Sequence, residues 1–295
     1  MTSEKNSTST VSPEIQIIFE DDHLLAVHKP AGVVVNQGKT VKERTVQSWF
    51  VEYVKGEAEL ERVAQDSADW QQFVPSDFSP NYGTPSEIFL QRQGIVHRLD
   101  KDTSGVLLLA KHPGALVNLL AQFKQRTTKK KYLCLVHGQM RVESSVIRAP
   151  IARSSTNRHK FRAEIDGRSA STHYRVIEWF PPENFANWLE SPGAALSTKI
   201  KQNLESYQQG FSLLECLPKT GRTHQIRVHL AHVGHPIVAD HTYGGGRRSS
   251  LDKQWCPRQF LHAAALAISH PATGKKLVLK APLSEDLRGV VEGLG

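Results

Sequence analysis

The alternation of apolar and polar positions predicts a chain built mainly from short strands. β-favouring runs at residues 15–19 and 24–27 flank turn-forming residues at 20–22, a pattern typical of a β-hairpin. The uninterrupted apolar run at residues 106–110 predicts a buried strand. Further strands and a closing hairpin are predicted at residues 132–136, 171–180, 211–217, 261–269 and 276–279.

Helical periodicity is clearest at residues 113–125, where one face carries Leu116, Leu119, Leu120 and Phe123. Basic residues at 124–131 follow this helix, where cations suit the helix dipole and could also contact phosphate. Another helix is predicted to begin with Thr223 as its N-cap and to run to His232, with Gly234 as its stop. Strands joined by short turns, with a few helices between them, favour an α+β fold with a mixed, mainly antiparallel sheet and flanking helices.

Two segments lack a clear pattern and are predicted to be insertions. The first, near residues 55–90, follows a predicted helix at 46–54 and combines a charged stretch with a loop that contains Pro, Ser and Asn. The second, near residues 182–209, has room for one short helix. Residues 1–14, rich in Ser and Thr, are predicted to be a disordered leader, which leaves one domain at 15–295.

The composition adds that the chain can bury a core and carries an excess of positive charge. Of its 295 residues, 39% are hydrophobic and 22% are charged, which is ordinary for a globular protein. The formal net charge is +8. Because each Lys or Arg set against a phosphate releases a condensed counterion, RNA, DNA and acidic membrane surfaces are favoured partners, although basic proteins also carry charge for solubility alone.

The cysteines and the apolar segments exclude several classes of protein. Cys134, Cys216 and Cys256 are odd in number, far apart in sequence and never spaced as Cys-x-x-Cys, which argues against a disulfide framework and a zinc ribbon. No apolar run approaches the roughly 20 residues that cross a bilayer, and the first residues do not form a signal peptide. We therefore expect a cytoplasmic protein with no membrane contact.

One segment places carboxylates beside basic residues between two predicted strands. Residues 98–105 are Arg-Leu-Asp-Lys-Asp-Thr-Ser-Gly, and Arg98 and Asp100 would point the same way if the segment were extended. Loops held between strands often carry functional groups. Taken alone, however, the segment fits a surface ion pair or a turn cap better than an active site.

Further sequence blocks occur with this loop in a fixed order. They are Lys-Pro-Ala-Gly at 29–32, His-Arg-Leu-Asp at 97–100, Lys131-Tyr132, Gly-Arg-Thr-His-Gln-Ile-Arg at 221–227, Gly-His-Pro-Ile-Val at 234–238 with Asp240 and Tyr243-Gly244, and Leu-His-Ala at 261–263 leading to His270-Pro271. This order resembles the RluA-type pseudouridine synthases over essentially residues 15–282. The resemblance implies the catalytic fold of that family and the isomerisation of chosen uridines in structured ribosomal or transfer RNA.

The resemblance assigns the chemistry to Asp100. The reaction detaches uracil from ribose, turns it and re-attaches it through C5, and a carboxylate suits covalent work at a sugar carbon. Whether Asp100 attacks the ribose, attacks the base or only stabilises a glycal-like species stays open. Asp102 is its rival in the same loop, and we expect Asp102 to cap the turn. Arg227, the last residue of its motif, should pair with Asp100 and hold it ionised, the alternative being a helix-surface cation.

The same resemblance gives roles to residues around Asp100. Tyr132 is expected to lie over the target base and to serve as the base that moves a ribose proton, or else to be a half-buried strand tyrosine. Arg98 is expected to fill the space that the flipped uridine leaves, or else to contact phosphate. The other residues predicted to bind substrate are His97, Arg222, Lys131, Ile226 and Leu261.

No cofactor is expected, because an isomerisation transfers no hydride, electron or phosphoryl group and the chain lacks a glycine-rich nucleotide turn and a Walker loop. Histidines close together in sequence offer an alternative, a metal hydrolase. They are His224, His229, His232, His235 and His241. Their spacing does not give the usual i, i+4 pair with a carboxylate motif, so we expect no metal.

The chain also departs from the pattern of the family. Members often carry an N-terminal S4 RNA-binding module, but the fourteen residues before the first predicted strand are too few for a domain, so we expect none. Basic residues must grip the RNA instead, and besides those after the long helix they are Arg141, Arg148, Arg153, Arg158, Lys160 and Arg162. We expect a monomer. The alternative function is a non-catalytic RNA-binding or RNA-folding factor for which Asp100 is dispensable.

Overall fold

The computed structural model describes residues 14–38, 41–191, 200 and 202–295. The predicted leader, apart from Glu14, lies outside these ranges, as does part of the second predicted insertion. Within them no helix is long and apolar enough to cross a membrane.

A nine-stranded sheet organises the described part of the chain. Its strands are β1 (Gln16–Glu20), β2 (Leu24–Lys29), β3 (Ser104–Ala110), β4 (Lys129–His137), β5 (Ser144–Arg148), β8 (Ser171–Phe180), β9 (Phe211–Pro218), β10 (Leu261–Ser269) and β11 (Lys276–Lys280). The order is β1-β2-β3-β10-β4-β9-β8-β5, and β11 pairs with β10. Only the β3–β10 pair is parallel among these described strands. A separate hairpin pairs β6 (Ile151–Arg153) with β7 (Phe161–Ala163).

Helices lie between the strands. They are α1 (Val46–Tyr53), α2 (Glu57–Gln65), α3 (Ser67–Trp70), α4 (Pro85–Arg92), α5 (Pro113–Gln125), α6 (Pro182–Glu190), α7 (Gln225–His232), α8 (Gly246–Asp252) and α9 (Glu285–Leu294). Short 3₁₀ turns span Gln71–Phe73, Pro80–Tyr82 and Leu204–Tyr207. The predicted α+β class, both predicted hairpins and the predicted helix at 113–125 are confirmed.

Two large hydrophobic clusters fill the described part of the molecule, one for each half of the sheet, and a third, small cluster joins the β6–β7 hairpin to α7. The first surrounds β2 and β3 and includes buried side chains of α1, α4 and α5. The second surrounds β4, β8 and β9 and includes buried side chains of α6 and α7. Tyr132 on β4 packs against both clusters. The boundary between the two halves therefore lies at Tyr132.

The first predicted insertion contains more helix than the pattern suggested. The charged stretch forms helix α2, in which Leu60 and Ala64 are buried. Helix α4 was missed, although its start carries a capping box: the Glu87 N–H donates to the Thr84 hydroxyl at 3.2 Å, and the Thr84 N–H donates to the Glu87 carboxylate at 2.7 Å. The Thr-Pro-Ser-Glu sequence at 84–87 is a recognisable helix start.

The start of α7 corrects a second prediction. The N-cap residue of α7 is His224 rather than Thr223. The backbone of His224 lies in the left-handed region at φ 56°. Gln225 folds its side chain back, and its Oε1 accepts hydrogen bonds from the Thr220 hydroxyl at 2.6 Å and the Arg222 N–H at 3.1 Å. The turn before the helix is thus closed by a glutamine side chain rather than by a threonine cap.

The basic residues predicted to follow α5 separate in the structure. Arg126 ends the helix in the left-handed region at φ 61°. Residues 129–131 already belong to β4, where successive side chains point to opposite faces. The predicted single basic cluster is therefore split between a helix end and two faces of a strand.

Candidate active site

The Asp100 loop (residues 98–105) is fixed by contacts on both sides of its turn. The Thr103 N–H donates to the Asp100 carbonyl at 3.1 Å and closes the turn. Arg258 Nη1 donates to the Asp102 carbonyl at 3.0 Å. Asp102, which was predicted to cap the turn, contributes this carbonyl, and none of the described residues donates a hydrogen bond to its carboxylate. The loop therefore presents Asp100 on a braced turn.

The side chain of Lys29 binds the backbone of the Asp100 loop. It is fully buried, and its Nζ donates to the carbonyls of Pro30 at 2.7 Å, Val33 at 2.9 Å and Lys101 at 2.9 Å. Three carbonyls match the three donors of an ammonium group. Burial, together with the nearby charge of Arg258, lowers the pKa of Lys29 to about 7. The Lys-Pro-Ala-Gly block is thereby tied to the loop that carries the carboxylate.

Asp100 and Arg227 form the ion pair that the sequence predicted. Arg227 Nη1 donates to Asp100 Oδ2 at 2.9 Å, across the boundary between the two halves of the sheet. The other face of the guanidinium binds Asp240, through Nε to Oδ2 at 2.7 Å and through Nη2 to Oδ1 at 2.8 Å. Asp100 Oδ1 makes no hydrogen bond to the described residues, and the side chain is 19% exposed. One oxygen of Asp100 is therefore oriented by Arg227, and the other is free.

Arg227 and Asp240 stabilise each other in their charged forms. Burial disfavours the Arg227 charge, but the hydrogen bonds and charge of Asp240, followed by those of Asp100, outweigh it and raise the pKa of Arg227. Burial acts in the same way against the Asp240 carboxylate, and Arg227 with the N–H groups of Thr242 and Tyr243 lowers its pKa nevertheless. Arg227 is therefore a permanent cation beside Asp100.

Tyr132 lies in the wall of the same site. Burial, and then the negative charge of Asp100, raise the pKa of the Tyr132 phenol. The hydroxyl therefore keeps its proton at neutral pH, which opposes the predicted role as a base. The aromatic ring is the part of Tyr132 that the site can use without ionisation.

The structure corrects the prediction that Lys131 binds substrate, because it places this side chain away from the cavity. Residues alternate along β4, so Lys130 and Tyr132 share the face with the cavity and Lys131 takes the opposite face. There Lys131 forms an ion pair with Glu215, which Arg175 also approaches at 3.4 Å. Lys130 Nζ instead donates to the Thr220 carbonyl at 3.1 Å. The lysine at the cavity is thus the one before the predicted residue.

A cavity of about 350 Å³ surrounds these groups. Of the residues predicted to bind substrate, five line it: His97, Arg98, Arg222, Ile226 and Leu261. Ile226 and Leu261 are buried and form apolar wall. Arg98 is exposed, and its side chain has no hydrogen bond or ion pair with the described residues. The cavity thus combines a paired carboxylate, an aromatic ring, apolar wall and an unpaired cation.

Two of the lining residues have structural contacts of their own. His97 Nε2 accepts a hydrogen bond from the Leu108 N–H at 3.1 Å, and its ring stacks on Phe123 at 4.9 Å. Arg222 Nε donates to the Ser169 carbonyl at 3.2 Å. Burial lowers the pKa of His97 to about 3. His97 is therefore a neutral brace of the wall rather than a charged ligand for phosphate.

The sequence did not assign roles to Lys29, Lys130, Asp240 or Tyr243. Asp240 and Tyr243 stood in a recognised block, and the signal for Asp240 was a carboxylate directly after the apolar residues 237–239. A carboxylate inside an apolar stretch needs a cationic partner. The sequence does not reveal which of the many arginines supplies it, because the pairing joins a helix to a following loop.

The histidines that suggested a metal site point to different partners. Within the described residues no group of three His, Cys, Asp or Glu side chains could hold a metal ion. His229 is buried against Thr172 and the Ala149 carbonyl, at 2.9 Å to each. His235 Nδ1 lies 2.9 Å from the His137 carbonyl. These histidines stabilise the fold locally.

A second and wider cavity, of about 920 Å³, lies away from Asp100. Its lining includes Arg141, Arg148, Trp179, His232 and His235, and no carboxylate among the described residues. It therefore lacks the acid that sugar chemistry needs. The predicted RNA-gripping residues are divided as a result: Arg141 and Arg148 border this cavity, whereas residues 153–162 belong to the β6–β7 hairpin.

Comparisons with known proteins agree with the site. The family model described as RNA pseudouridylate synthase matches residues 23–232. Ribosomal large subunit pseudouridine synthase D of Nitrosomonas europaea is 33% identical over 286 residues, which cover 95% of this chain and 65% of that protein. Ribosomal large subunit pseudouridine synthase C of Vibrio vulnificus is 34% identical over 279 residues, 94% of this chain and 69% of that protein.

A solved structure shares the fold. Human RNA Pseudouridylate Synthase Domain Containing 1 superposes with a TM-score of 0.56 at 21% sequence identity, covering 96% of this chain and 97% of that one. The likeness to this structure concerns the fold alone. The chain belongs to the RNA pseudouridylate synthase family, since the family model matches most of it, and the family predicted from the sequence is confirmed. The two bacterial relatives are longer than this chain, which spans 65% and 69% of their lengths.

Proposed function

We propose that this protein isomerises specific uridines of a structured RNA to pseudouridine. The observation that carries the proposal is the 2.9 Å pair between Asp100 Oδ2 and Arg227 Nη1, set in a cavity with Tyr132. Arg227 keeps one carboxylate oxygen in place while the other is free to approach the ribose. An isomerisation needs no further reactant, so a carboxylate, a cation and a shaped pocket suffice.

The chemistry balances within the nucleotide. The bond between uracil N1 and ribose C1′ breaks, the uracil turns within the pocket, and a bond forms between C5 and C1′. The proton of C5 is then released and N1 gains one. Asp100 stabilises the electron-poor ribose carbon, either by bonding to it or by its charge. The positive charge of Arg227 compensates the negative charge of the Asp100 carboxylate throughout the reaction.

The remaining groups suit a base that has left its stack. The ring of Tyr132 offers a flat apolar surface for the uracil, with Ile226 and Leu261 as further wall. The unpaired Arg98 at the cavity is placed to enter the space that the uridine leaves or to hold a neighbouring phosphate.

We further propose that the RNA is ribosomal. Both bacterial relatives are named for the large ribosomal subunit. The excess of basic residues supports binding of a polyanion. The three free, buried cysteines suit a reducing compartment, so we place the activity in the cytoplasm. A transfer RNA substrate is the competing outcome, and a monomer is sufficient because the described residues of one chain supply the site.

Tritium release from C5-labelled uridine tests the proposal. Transcripts of the host's large-subunit ribosomal RNA and of its transfer RNAs are incubated with wild type, Asp100→Ala and Asp102→Ala. We expect release from a ribosomal transcript by wild type and a loss of at least about a thousandfold for Asp100→Ala, because the reacting group is removed. Asp102→Ala is the matched control and should retain most of the activity.

A measurement of RNA affinity distinguishes an enzyme from a protein that only binds RNA. Asp100→Ala should bind the same transcript within a few-fold of wild type, because the change removes a negative charge from a basic surface. No release by wild type from any RNA despite binding would instead support the non-catalytic RNA-binding factor. Full activity of Asp100→Ala would overturn the assigned role of Asp100.

A further inference from the structure

His224 holds a strained position beside Asp100. Its backbone lies in the left-handed region at φ 56°, which few non-glycine residues adopt and which is enriched at functional sites. Its Nε2 lies 3.8 Å from Asp100 Oδ2, too far for a hydrogen bond. The imidazole lines the cavity and is 19% exposed. Nε2 therefore has no hydrogen-bond partner among the described residues, although it faces the carboxylate.

Tyr243 determines which nitrogen of His224 carries the proton. The Tyr243 hydroxyl accepts a hydrogen bond from the Phe161 N–H at 3.0 Å and lies 2.8 Å from His224 Nδ1. A phenol has one proton to donate. Within the described residues, Nδ1 is the acceptor in reach of that proton. The hydroxyl therefore donates to Nδ1, and the proton of a neutral imidazole is on Nε2.

The surroundings keep this imidazole neutral. Burial lowers the pKa of His224; the charges of Asp100 and Asp240 oppose this effect, and those of Arg227 and Arg98 add to it. A neutral ring with its proton on Nε2 is a hydrogen-bond donor in the cavity lining, 3.8 Å from Asp100 Oδ2. Because the donor is unused in the free protein, a ligand oxygen can take it without breaking another bond.

We propose that His224 is a further catalytic residue, whose Nε2–H donates a hydrogen bond to an oxygen of the target nucleotide seated against Asp100. Tyr243 is then a positioning residue that selects the productive tautomer. This inference rests on the proposed function, because it concerns the same site and the same nucleotide.

Two substitutions at position 224 distinguish the loss of the Nε2–H donor from a loss of the folded structure. Asparagine tolerates the left-handed backbone, and its side-chain oxygen can accept from Tyr243 in place of Nδ1, but it has no donor at the position of Nε2. Glutamine extends an N–H donor to about that position. We expect His224→Asn to lower kcat roughly 10- to 100-fold with less than about a threefold change in KM for RNA, and His224→Gln to recover part of the loss. His232→Asn, on the exposed end of the same helix, is the matched control.

The tautomer itself is measured without activity. Two-bond ¹H–¹⁵N correlation spectra of histidine-labelled protein distinguish a protonated Nε2 from a protonated Nδ1. Wild type should show the proton on Nε2, and Tyr243→Phe should show a mixture with a lower kcat. Adding Tyr243→Phe to His224→Asn should cost nothing further, because the donor that Tyr243 orients is already absent.

The outcomes distinguish this inference from the proposed function. An active wild type with its proton on Nδ1, or a folded His224→Asn protein with unchanged kcat, overturns the role of His224 and leaves the proposed function intact. A wild type that is inactive on every RNA overturns the proposed function, and the role of His224 falls with it.

Discussion

At the scale of single residues, Asp240 determines whether Arg227 can serve Asp100. A buried guanidinium needs acceptors on more than one edge, and Asp240 supplies two of the oxygen contacts from a fully buried position. Arg258 and Asp286 form a pair of the same geometry, at 2.6 and 3.0 Å, but the Asp286 side chain is 37% exposed. Water can replace Asp286, whereas nothing replaces a buried carboxylate.

Substitution of these two aspartates should therefore give different results. Asp240→Asn turns an amide donor toward the Arg227 donors, and we expect it to lower the free energy of unfolding by about 3 kcal/mol and to abolish most tritium release. Asp286→Asn should cost about 1 kcal/mol or less and leave activity near wild type. Urea unfolding and the release assay check both. Equal losses in the two variants would contradict the assigned role of Asp240.

At the scale of elements, the β6–β7 hairpin connects the site to the surface that we expect to hold RNA. The hairpin packs against α7, and its Phe161 N–H donates to Tyr243. Arg153 stacks over the Phe161 ring at 5.5 Å. Arg158 and Lys160 are exposed at its turn, and neither side chain has a partner among the described residues. These two cations are available for phosphate.

Removal of the turn cations should weaken RNA binding without touching the chemistry. We expect Arg158→Ser with Lys160→Ser to reduce the slope of log Kd against log salt by about 1 to 2, and to leave kcat at saturating RNA close to wild type. Filter binding over a range of salt concentrations measures the slope. Lys275→Ser with Lys276→Ser removes the same charge from the β10–β11 hairpin and is the control. An unchanged slope for the first variant would exclude the hairpin as an RNA contact.

At the scale of the whole molecule, the site exists because two halves of one sheet meet. Asp100 comes from the loop before β3 in one half, and Arg227 comes from α7 in the other. Around β3 the structure also holds three uncharged histidines, of which His112 and His262 are buried and His97 is half-buried. Burial is the main cause that lowers the pKa of His97 to about 3 and of His112 and His262 to about 4.

These histidines should make the whole fold sensitive to acid. Their pKa values in the folded state lie below the ordinary 6.5, so the unfolded chain binds more protons as pH falls. Stability is therefore full above about pH 6.5 and is lost as pH falls toward 4, by roughly 1 kcal/mol per histidine between pH 7.5 and 5.5. Urea unfolding at both pH values measures the loss.

Removal of one of these histidines should make the pH dependence shallower. In His97→Gln, the amide oxygen can still accept from the Leu108 N–H but cannot be protonated, so the loss on acidification should shrink by about one histidine's share. His159→Gln, at an exposed position of the hairpin turn, should leave the pH dependence as in wild type. A wild type equally stable at both pH values would show that the fold does not hold these histidines neutral.

Prediction from the sequence succeeded where the signal was local or carried by a motif. The apolar face of α5, the two hairpins and the ion pair of Asp100 with Arg227 were all predicted. It failed at α4, where a helix start was overlooked, and at Lys131, because one residue of shift on a strand exchanges the two faces. The tertiary partners of Asp240 and Lys29 had no local signal at all.

The sequence by itself determined the family, the α+β class and the identity of the paired carboxylate, because periodicity and motif order are written along the chain. Only the tertiary structure decided that Lys130 rather than Lys131 faces the cavity, that Asp240 locks Arg227, and that Tyr243 orients His224. The physical reason is that burial and hydrogen-bond direction depend on which distant segments pack together, and these set the charge and the proton positions of the site.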